Sequence, residues 1–482
     1  MLDFRPVGYV IGLMVTALGL AMILPMVVDM AEGRGHWPVF AESAILTVLV
    51  GGLVALACRN GVREGLTLQQ TFLLTTGVWV ILPFFGALPF IIGATESRIV
   101  DAVFEAMSGL TTTGSTVLTG LEDLPKGLLL WRGLMQWLGG VGIIVVAMVF
   151  LPELRVGGMQ IFRTSGFDTM GKILPRATQI SSRISVIYLS LTLTCVLGYL
   201  VAGMNAFDAT VHAMTTVATG GFANYDASFA AFGARAEYVA VVFMMLAALP
   251  FVRFVQMTAG TARPLLTDPQ VRGFFLTAAV LVGVLTLWQV SQQETLSEQA
   301  FRKALFNTVS ILTGTGYASA DYMQWGAFAV TLLFFIGLIG GCAGSTSCSI
   351  KIFRYQLLFA SVSAQLRRIY TPHGVFTPRY QDRAISDDVL NSVMSFFVFF
   401  IVTLGVIAVA LGFTGLDFIT SVSGAAAALA NIGPGLGETI GPAGNFEPLN
   451  DTAKWVLVAA MLIGRLELLA VYAIFTVSFW RA

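Results

Sequence analysis

Charge is what this sequence has little of. Only 11% of its 482 residues are Asp, Glu, Lys or Arg, against about 25% in an ordinary soluble chain. Apolar residues make up 56%, and mean hydropathy is +0.82. Such a chain cannot cover itself with water-facing groups, which excludes a soluble globular protein and leaves an integral membrane one. The 27 basic and 27 acidic residues cancel, so nothing points to nucleic acid. Cysteine is scarce too. Cys58, Cys195, Cys342 and Cys348 lie in or beside apolar stretches and make no CxxC pair, which argues against a disulfide framework or a zinc site. His36, His212 and His373 are scattered. There is no GxxxxGK[ST] and no GxGxxG after a strand, so this chain has no nucleotide site of its own. An intramembrane hydrolase finds no motif either: no HExxH, no GxSG on a span, no paired intramembrane aspartates. The first apolar segment, Gly8 to about Met30, is too long for a signal-peptide core and no small-residue cleavage site follows it. It reads as a retained helix.

Apolar runs long enough to span lie near 8–30, 39–58, 71–93, 128–151, 184–204, 236–257, 274–290, 326–360, 391–413 and 455–479, about ten in all. The fold class is therefore an all-α polytopic membrane protein. Between some runs lie semi-apolar segments too short to cross, near 100–112, 207–218, 300–312 and 416–430. Each ends in a glycine turn: "TTTGS" (111–115), "VATGG" (217–221), "TGTGY" (313–317) and "ANIGP" (430–434). With Gly114, Gly220, Gly316 and Gly433 aligned, the separations are 106, 96 and 117 residues. The unit of span, short helix, turn and span thus recurs four times. The expected divisions are an N-terminal helix pair at 1–60 and pore repeats at 61–178, 179–268, 269–385 and 386–482. Assigning the termini and the linkers between repeats to one side gives that side 18 Lys and Arg, against eight on the side of the turns. The excess puts both termini in the cytoplasm.

Irregular backbone at membrane depth survives only where protein buries it or water reaches it. Four re-entrant turns therefore imply a central cavity. A dehydrating K⁺ needs a cage of oxygens, and rings of backbone carbonyls supply one. Glycine reaches the dihedrals such a strand requires and leaves no side chain in the lumen. Threonine adds a hydroxyl on a stiff stem. The C-terminal end of each short helix, partly negative, favours a cation. The oxygens expected to bind K⁺ belong to Thr111, Thr112, Thr113, Gly114, Ala218, Thr219, Gly220, Gly314, Thr315, Gly316, Asn431, Ile432 and Gly433.

The segments "SGLTTTGST" (108–116), "HAMTTVATGGFAN" (212–224), "SILTGTGYAS" (310–319) and "ALANIGPGLG" (428–437), with "GGCAGSTSC" (340–348) and "GRLELL" (464–469), carry a resemblance. The chain resembles the Trk/Ktr/HKT superfamily of K⁺ uptake proteins, most closely its TrkH type, over about 60–482. The extra helix pair at 1–58 fits that type. Asn431-Ile432 departs from the threonine pattern of the other turns. The resemblance implies K⁺ permeation in a bacterial cytoplasmic (inner) membrane and a homodimer of pore chains. It also implies a cytoplasmic ring of nucleotide-binding regulatory subunits of the TrkA type. In the family, serine at the first filter glycine goes with Na⁺ preference, so Gly114 favours K⁺. Na⁺ transport, or coupled K⁺/Na⁺ or K⁺/H⁺ movement, is the alternative.

The run 326–360 is interrupted by Gly340, Gly341, Cys342, Ala343, Gly344, Ser345, Thr346, Ser347 and two further small residues, a poor helix. The resemblance implies a loop that obstructs the pore beneath the filter. The alternative is a close helix-packing surface. Arg465, with Glu467 two residues on, lies inside the last run. An intramembrane charge marks function by default, and residues two apart do not share a helix face. Arg465 is either a fixed charge limiting cations below the filter or a tie to the carbonyls of 340–349. Asp101 and Asp208 read as helix caps, and Lys303 in the third repeat argues against an acidic ring. His212 reads as a packed polar residue. The basic linkers at 152–183 and 351–383 are either docking surfaces for the partner or ordinary cytoplasmic loops.

Overall fold

The computed structural model describes residues 3–61, 66–147, 158–159, 177–293, 297–381 and 383–481. Most of the linker at 152–183, with Arg155, Arg163, Lys172 and Arg176, lies outside them. Among the described residues the regular structure is helical apart from a short antiparallel hairpin, β1 (Arg379–Tyr380) with β2 (Arg383–Ala384).

An N-terminal pair comes first. α1 (Arg5–Ala21) and α2 (Ile23–Glu32) run on through Met22, and α3 (Trp37–Cys58) returns beside them. Small residues set their spacing. A methyl group on Gly12 would fall 2.6 Å from the Ala55 nitrogen, and one on Gly51 would fall 2.7 Å from the Thr16 nitrogen. Backbones approach this closely in membranes only through such residues.

Four units follow. The first has α4 (Leu68–Gly86), α5 (Leu88–Ile92), the short α6 (Ile99–Leu110) and α7 (Lys126–Val145). In the second, α8 (Ala177–Val201) and the short α9 (Ala206–Val217) lead to α10 (Ala234–Ala247) and α11 (Phe251–Thr258), which meet at an 88° bend. Pro250 accounts for the bend, since it lacks the N–H that would continue the helix. The third has α12 (Pro269–Gln293), the short α13 (Glu298–Leu312), α14 (Ala327–Gly337) and α15 (Ile352–Tyr370). The fourth has α16 (Asp387–Phe413), the short α17 (Phe418–Ala430), α18 (Asp451–Arg465) and α19 (Leu469–Ile474).

Among the described residues, seven helices are long and apolar enough to cross a membrane, and the bent pair makes an eighth. The two other expected spans are broken, 326–360 into two helices and 455–479 into three. Burial sorts the helices. The most apolar window of α16 is 28% buried, whereas that of α7 is 72% buried. α16 therefore turns most of its surface outward to lipid and α7 stands inside the bundle. The short helices are more enclosed still: every residue of α6 after its first turn is buried. Asn205, Ser297 and Asp417 cap the other three through their side chains, which satisfies N–H groups left over at a helix start.

Asp101 and Asp208 lie in the first turns of α6 and α9, at the positive helix ends expected of them, though neither is the N-cap residue itself. The α6 cap position, Arg98, makes no side-chain bond, and Asp101 pairs instead with Arg98 (2.8 Å) and Lys454 (2.6 Å). Asp208 stands inside α9, where its carboxylate accepts from Asn224 (2.7 Å) and Tyr225 (2.8 Å). His212 is buried against the Asp208 carbonyl at 2.8 Å, a packed polar residue as expected.

Candidate functional site: a four-segment ring above a buried loop

Each short helix ends in the same backbone hairpin. The N–H groups of Thr113, Gly220, Thr315 and Ile432 donate back to the carbonyls of Ser108, Thr215, Ser310 and Ala427 at 2.8–3.0 Å. The residue before each donor is left-handed: Thr112, Thr219, Gly314 and Asn431 have φ of 52, 49, 72 and 52°. The residue after each is a left-handed glycine: Gly114, Gly221, Gly316 and Gly433, with φ of 88, 81, 81 and 104°. The second turn is therefore shifted by one residue from the expected alignment. Gly221, not Gly220, is the counterpart of Gly114, and Gly220 is the counterpart of Thr113. Two adjacent glycines hide this register in the sequence. For Thr112 and Thr219 the conformation is strained, since a β-branched residue at positive φ is a true outlier.

The four turns close on one another. A methyl group on Gly114 would collide with the Gly220 carbonyl oxygen, one on Gly221 with that of Thr315, and one on Gly316 with that of Ile432. On Gly433 it would fall 3.0 Å from the Thr113 carbonyl oxygen. The contacts run from the first repeat to the second, third and fourth and back to the first. Glycine is required at these positions because each strand passes against its neighbour's carbonyl. The threonine hydroxyls are tied within the ring: Thr111 to Thr113 and Thr313 to Thr315, both at 2.7 Å. Asn431 donates to the Thr113 hydroxyl (2.8 Å) and to the Met461 carbonyl (3.0 Å), so the fourth turn joins the first by a side chain.

One end of the ring opens into a cavity of about 200 Å³, lined among others by Gly114, Ser115, Gly221, Gly316 and Gly433. The other end meets residues 340–349. The Cys348 sulfur lies 3.9 Å from the Thr112 hydroxyl, and a methyl group on Gly314 would stand 3.6 Å from the Cys348 nitrogen. Residues 340–348 are buried. The loop is pinched at its neck, where Gly340 N–H donates to Ile350 at 2.8 Å. It docks on the bend of the second repeat: Cys342 N–H donates to Ala248 (2.9 Å), Thr346 Oγ1 to Ala247 (3.0 Å), and Phe251 N–H to Gly344 (2.9 Å). Ala343 N–H donates to Gln270 (2.8 Å) and Ser349 N–H to Ala430 (3.1 Å). A cavity of about 30 Å³ beside the loop is lined by Ser345, Cys348, Lys351, Arg465 and Glu467 among others, room enough for water.

The charges expected inside the last span lie beneath the ring. Arg465 ends α18, and α19 restarts only at Leu469. Its guanidinium donates to the Thr346 carbonyl (3.4 Å) and to the Cys348 sulfur. Glu467, at φ 60° in the break, pairs with Arg354 and not with Arg465. Arg354 also stacks on Phe396, 3.8 Å from the ring centroid. Lys351 donates to the Ser347 carbonyl.

A family model described as TrkH, cation transport protein, matches residues 36–480. The chain belongs to the TrkH family. That family is one of cation transporters, not of enzymes. The chain is 44% identical over 480 residues to the Trk system potassium uptake protein TrkI of Halomonas elongata, covering 99% of this chain and 97% of that protein. It is 36% identical over 494 residues to the Trk system potassium uptake protein TrkH of Vibrio parahaemolyticus, covering both completely. The crystal structure of the potassium transporter TrkH from Vibrio parahaemolyticus superposes with a TM-score of 0.91 at 34% identity, over all of both chains.

Beside the residues expected from the sequence, this member of the TrkH family places two more at the ring. Arg132 of α7, 1% exposed, bonds Glu105 (2.8 Å) and the Ala223 carbonyl (2.7 Å), tying the outer strands of the first two turns. Gln136, one helical turn further along α7, donates to the Gly220 carbonyl at 2.6 Å. Cys348, within the loop expected at 340–349, forms the floor. A signal was present for both: Arg132 and Gln136 are polar residues four apart, hence on one face, inside an apolar run.

Proposed function

We propose that this protein carries K⁺ into the cell across a bacterial cytoplasmic membrane, through a pore whose selective element is the ring of four turns. The observation that carries the reading is the closed cycle of glycine-to-carbonyl contacts. Four strands held side by side present backbone oxygens to a single axis, and oxygens so placed replace the hydration shell of a cation. The loop 340–349 is the gate, lying across the path immediately below the ring. Both termini lie in the cytoplasm. The chain works as a homodimer with a nucleotide-binding partner of the TrkA type, and the basic segment 351–383 offers it a surface. Seen this way the N-terminal pair at 1–60 is an addition to four repeats divided near 178, 268 and 385.

Reversal potentials of the reconstituted protein in K⁺ and Na⁺ gradients test the filter. Gly114→Ser puts a side chain where the Gly220 carbonyl stands. Discrimination between K⁺ and Na⁺ should weaken by about tenfold or more, the effect of misplacing one oxygen by a hydrogen bond's worth of free energy. An unchanged reversal potential would remove the first turn from the filter.

A further inference from the structure

We propose that Gln136 is a selectivity-determining positioning residue, whose carboxamide replaces the side chain that the second turn lacks and fixes the Gly220 carbonyl in the ring. The inference rests on the reading of the four turns as the filter.

The four ring positions before the left-handed glycines are Thr113, Gly220, Thr315 and Ile432. In the first and third turns a threonine stands there and bonds a second threonine two residues back, at 2.7 Å in both. The second turn has Ala218 and Gly220 at these places, so neither hydroxyl exists. Gly220 is the freest residue type in the ring, and it carries a ring oxygen. Gln136 is fully buried against it. Its Nε2 donates to the Gly220 carbonyl at 2.6 Å, and its Oε1 accepts from Phe222 N–H at 3.0 Å. A side chain begun at Gly220 would land on that carboxamide. Gln136 therefore fills the volume that threonine fills in the other turns and braces the strand on both sides of Gly221. Arg132, on the same face of α7, holds Ala223 next along the strand at 2.7 Å.

Two consequences follow for the ion. A filter that discriminates by cavity size needs its oxygens at set positions, and one that discriminates by field strength needs their dipoles set. The Gln136 bond does both at Gly220: it locates the oxygen, and it occupies one of its two lone pairs. Among the described residues, no other carbonyl of this ring layer accepts from a side chain. The second repeat thus supplies an oxygen tuned differently from its three counterparts.

The test uses the full-length protein in planar bilayers and reads the K⁺:Na⁺ permeability ratio from reversal potentials, which do not depend on how many molecules insert. Gln136→Ala should lower the ratio by about tenfold. Gly220→Thr alone should lower it as well, because threonine collides with the carboxamide. Gly220 is not left-handed, so threonine is otherwise tolerated there. The double variant, Gln136→Ala with Gly220→Thr, should recover most of the ratio, since the threonine then occupies the volume that the carboxamide leaves, as Thr113 and Thr315 do in their turns, although Ala218 offers it no hydroxyl partner. A wild-type ratio in Gln136→Ala overturns the proposal. So does a double variant no better than the singles, and this arm decides the matter even if Gln136→Ala alone passes no current. Gly114→Ser is measured alongside. If it shifts the ratio and Gln136→Ala does not, the filter stands and only the role of Gln136 falls. If neither does, the filter reading itself has failed.

Discussion

Arg465 reaches the loop beneath the ring through one guanidinium nitrogen, Nη1, and its length and its charge distinguish two ways of working. A positive charge in a low-dielectric space repels a passing cation far more than it would in water. The same guanidinium, through the Thr346 carbonyl and the Cys348 sulfur, also holds the loop in place. Lysine keeps the charge but ends one bond short of the Nη1 position, whereas glutamine, shorter still, loses both the charge and the contact. The contacts predict that open probability in single-channel records rises in both Arg465→Lys and Arg465→Gln, because both lose the tie. Conductance should rise only in Arg465→Gln, because only there is the electrostatic barrier gone. Equal conductance in the two variants would show that the charge does not limit flow, and wild-type records from both would take Arg465 out of the mechanism. The neighbouring Arg354 and Glu467 are a different matter. They bond one another beneath the loop, so Arg354→Met would leave the Glu467 carboxylate without that bond, at a cost of about 3–5 kcal/mol.

At the scale of the element, the loop and the bend of the second repeat depend on each other. Buried backbone must find partners, and residues 340–349 form no helix that would supply them. α10 stops at Ala247, and Pro250 cannot donate the next helical bond. An N–H at position 250 would have served Leu246, and the 88° bend that follows turns the N–H groups of Phe251 and Val252 away from the Ala247 and Ala248 carbonyls, which are thereby released. The loop takes both carbonyls and the Phe251 N–H. Each irregular segment thus satisfies the other, which is the condition for either to exist at membrane depth. A loop held to its neighbours by hydrogen bonds and small side chains, with no large apolar residue inserted between the helices, can be moved without unpacking the core. Deleting several residues between Cys342 and Thr346 should therefore raise basal K⁺ flux into vesicles and reduce its dependence on the regulatory partner. Flux that disappears in a variant of normal size-exclusion profile would mean that the segment packs helices and does not gate.

Across the whole molecule, what the sequence made legible is what repeats locally. The four short helices were readable to within about two residues at each end, because each is bounded by polar turns that an apolar span would not contain. Their closure into a ring was implied by number alone. The register of the second turn was not readable, since Gly220 and Gly221 are interchangeable in a string of letters and differ only in φ. Long-range partners such as Gln136 with Gly220, or Glu467 with Arg354, have no signature beyond a polar residue in an apolar run. The break after Arg465 was invisible for the opposite reason: residues 466–468 include two leucines and look like more span. The N-terminal pair shows the same division between local and distant. Its glycines were plain, but their contact across two helices was not. That contact yields a prediction at this scale. Gly51 sits against the Thr16 backbone, and the pair is joined to the pore by Asp29, which accepts from Gly127 N–H at 2.5 Å and bonds His36 at 2.6 Å. None of α1, α2 or α3 supplies a residue to the ring. Gly51→Leu should therefore force α1 and α3 apart at a cost of about 1–3 kcal/mol, lowering the thermal stability of the detergent-solubilised protein. The K⁺:Na⁺ permeability ratio of the molecules that remain folded should be that of the wild type. A shifted ratio would mean that the N-terminal pair sets the geometry of the ring from outside it, and that the four repeats do not suffice to define the filter.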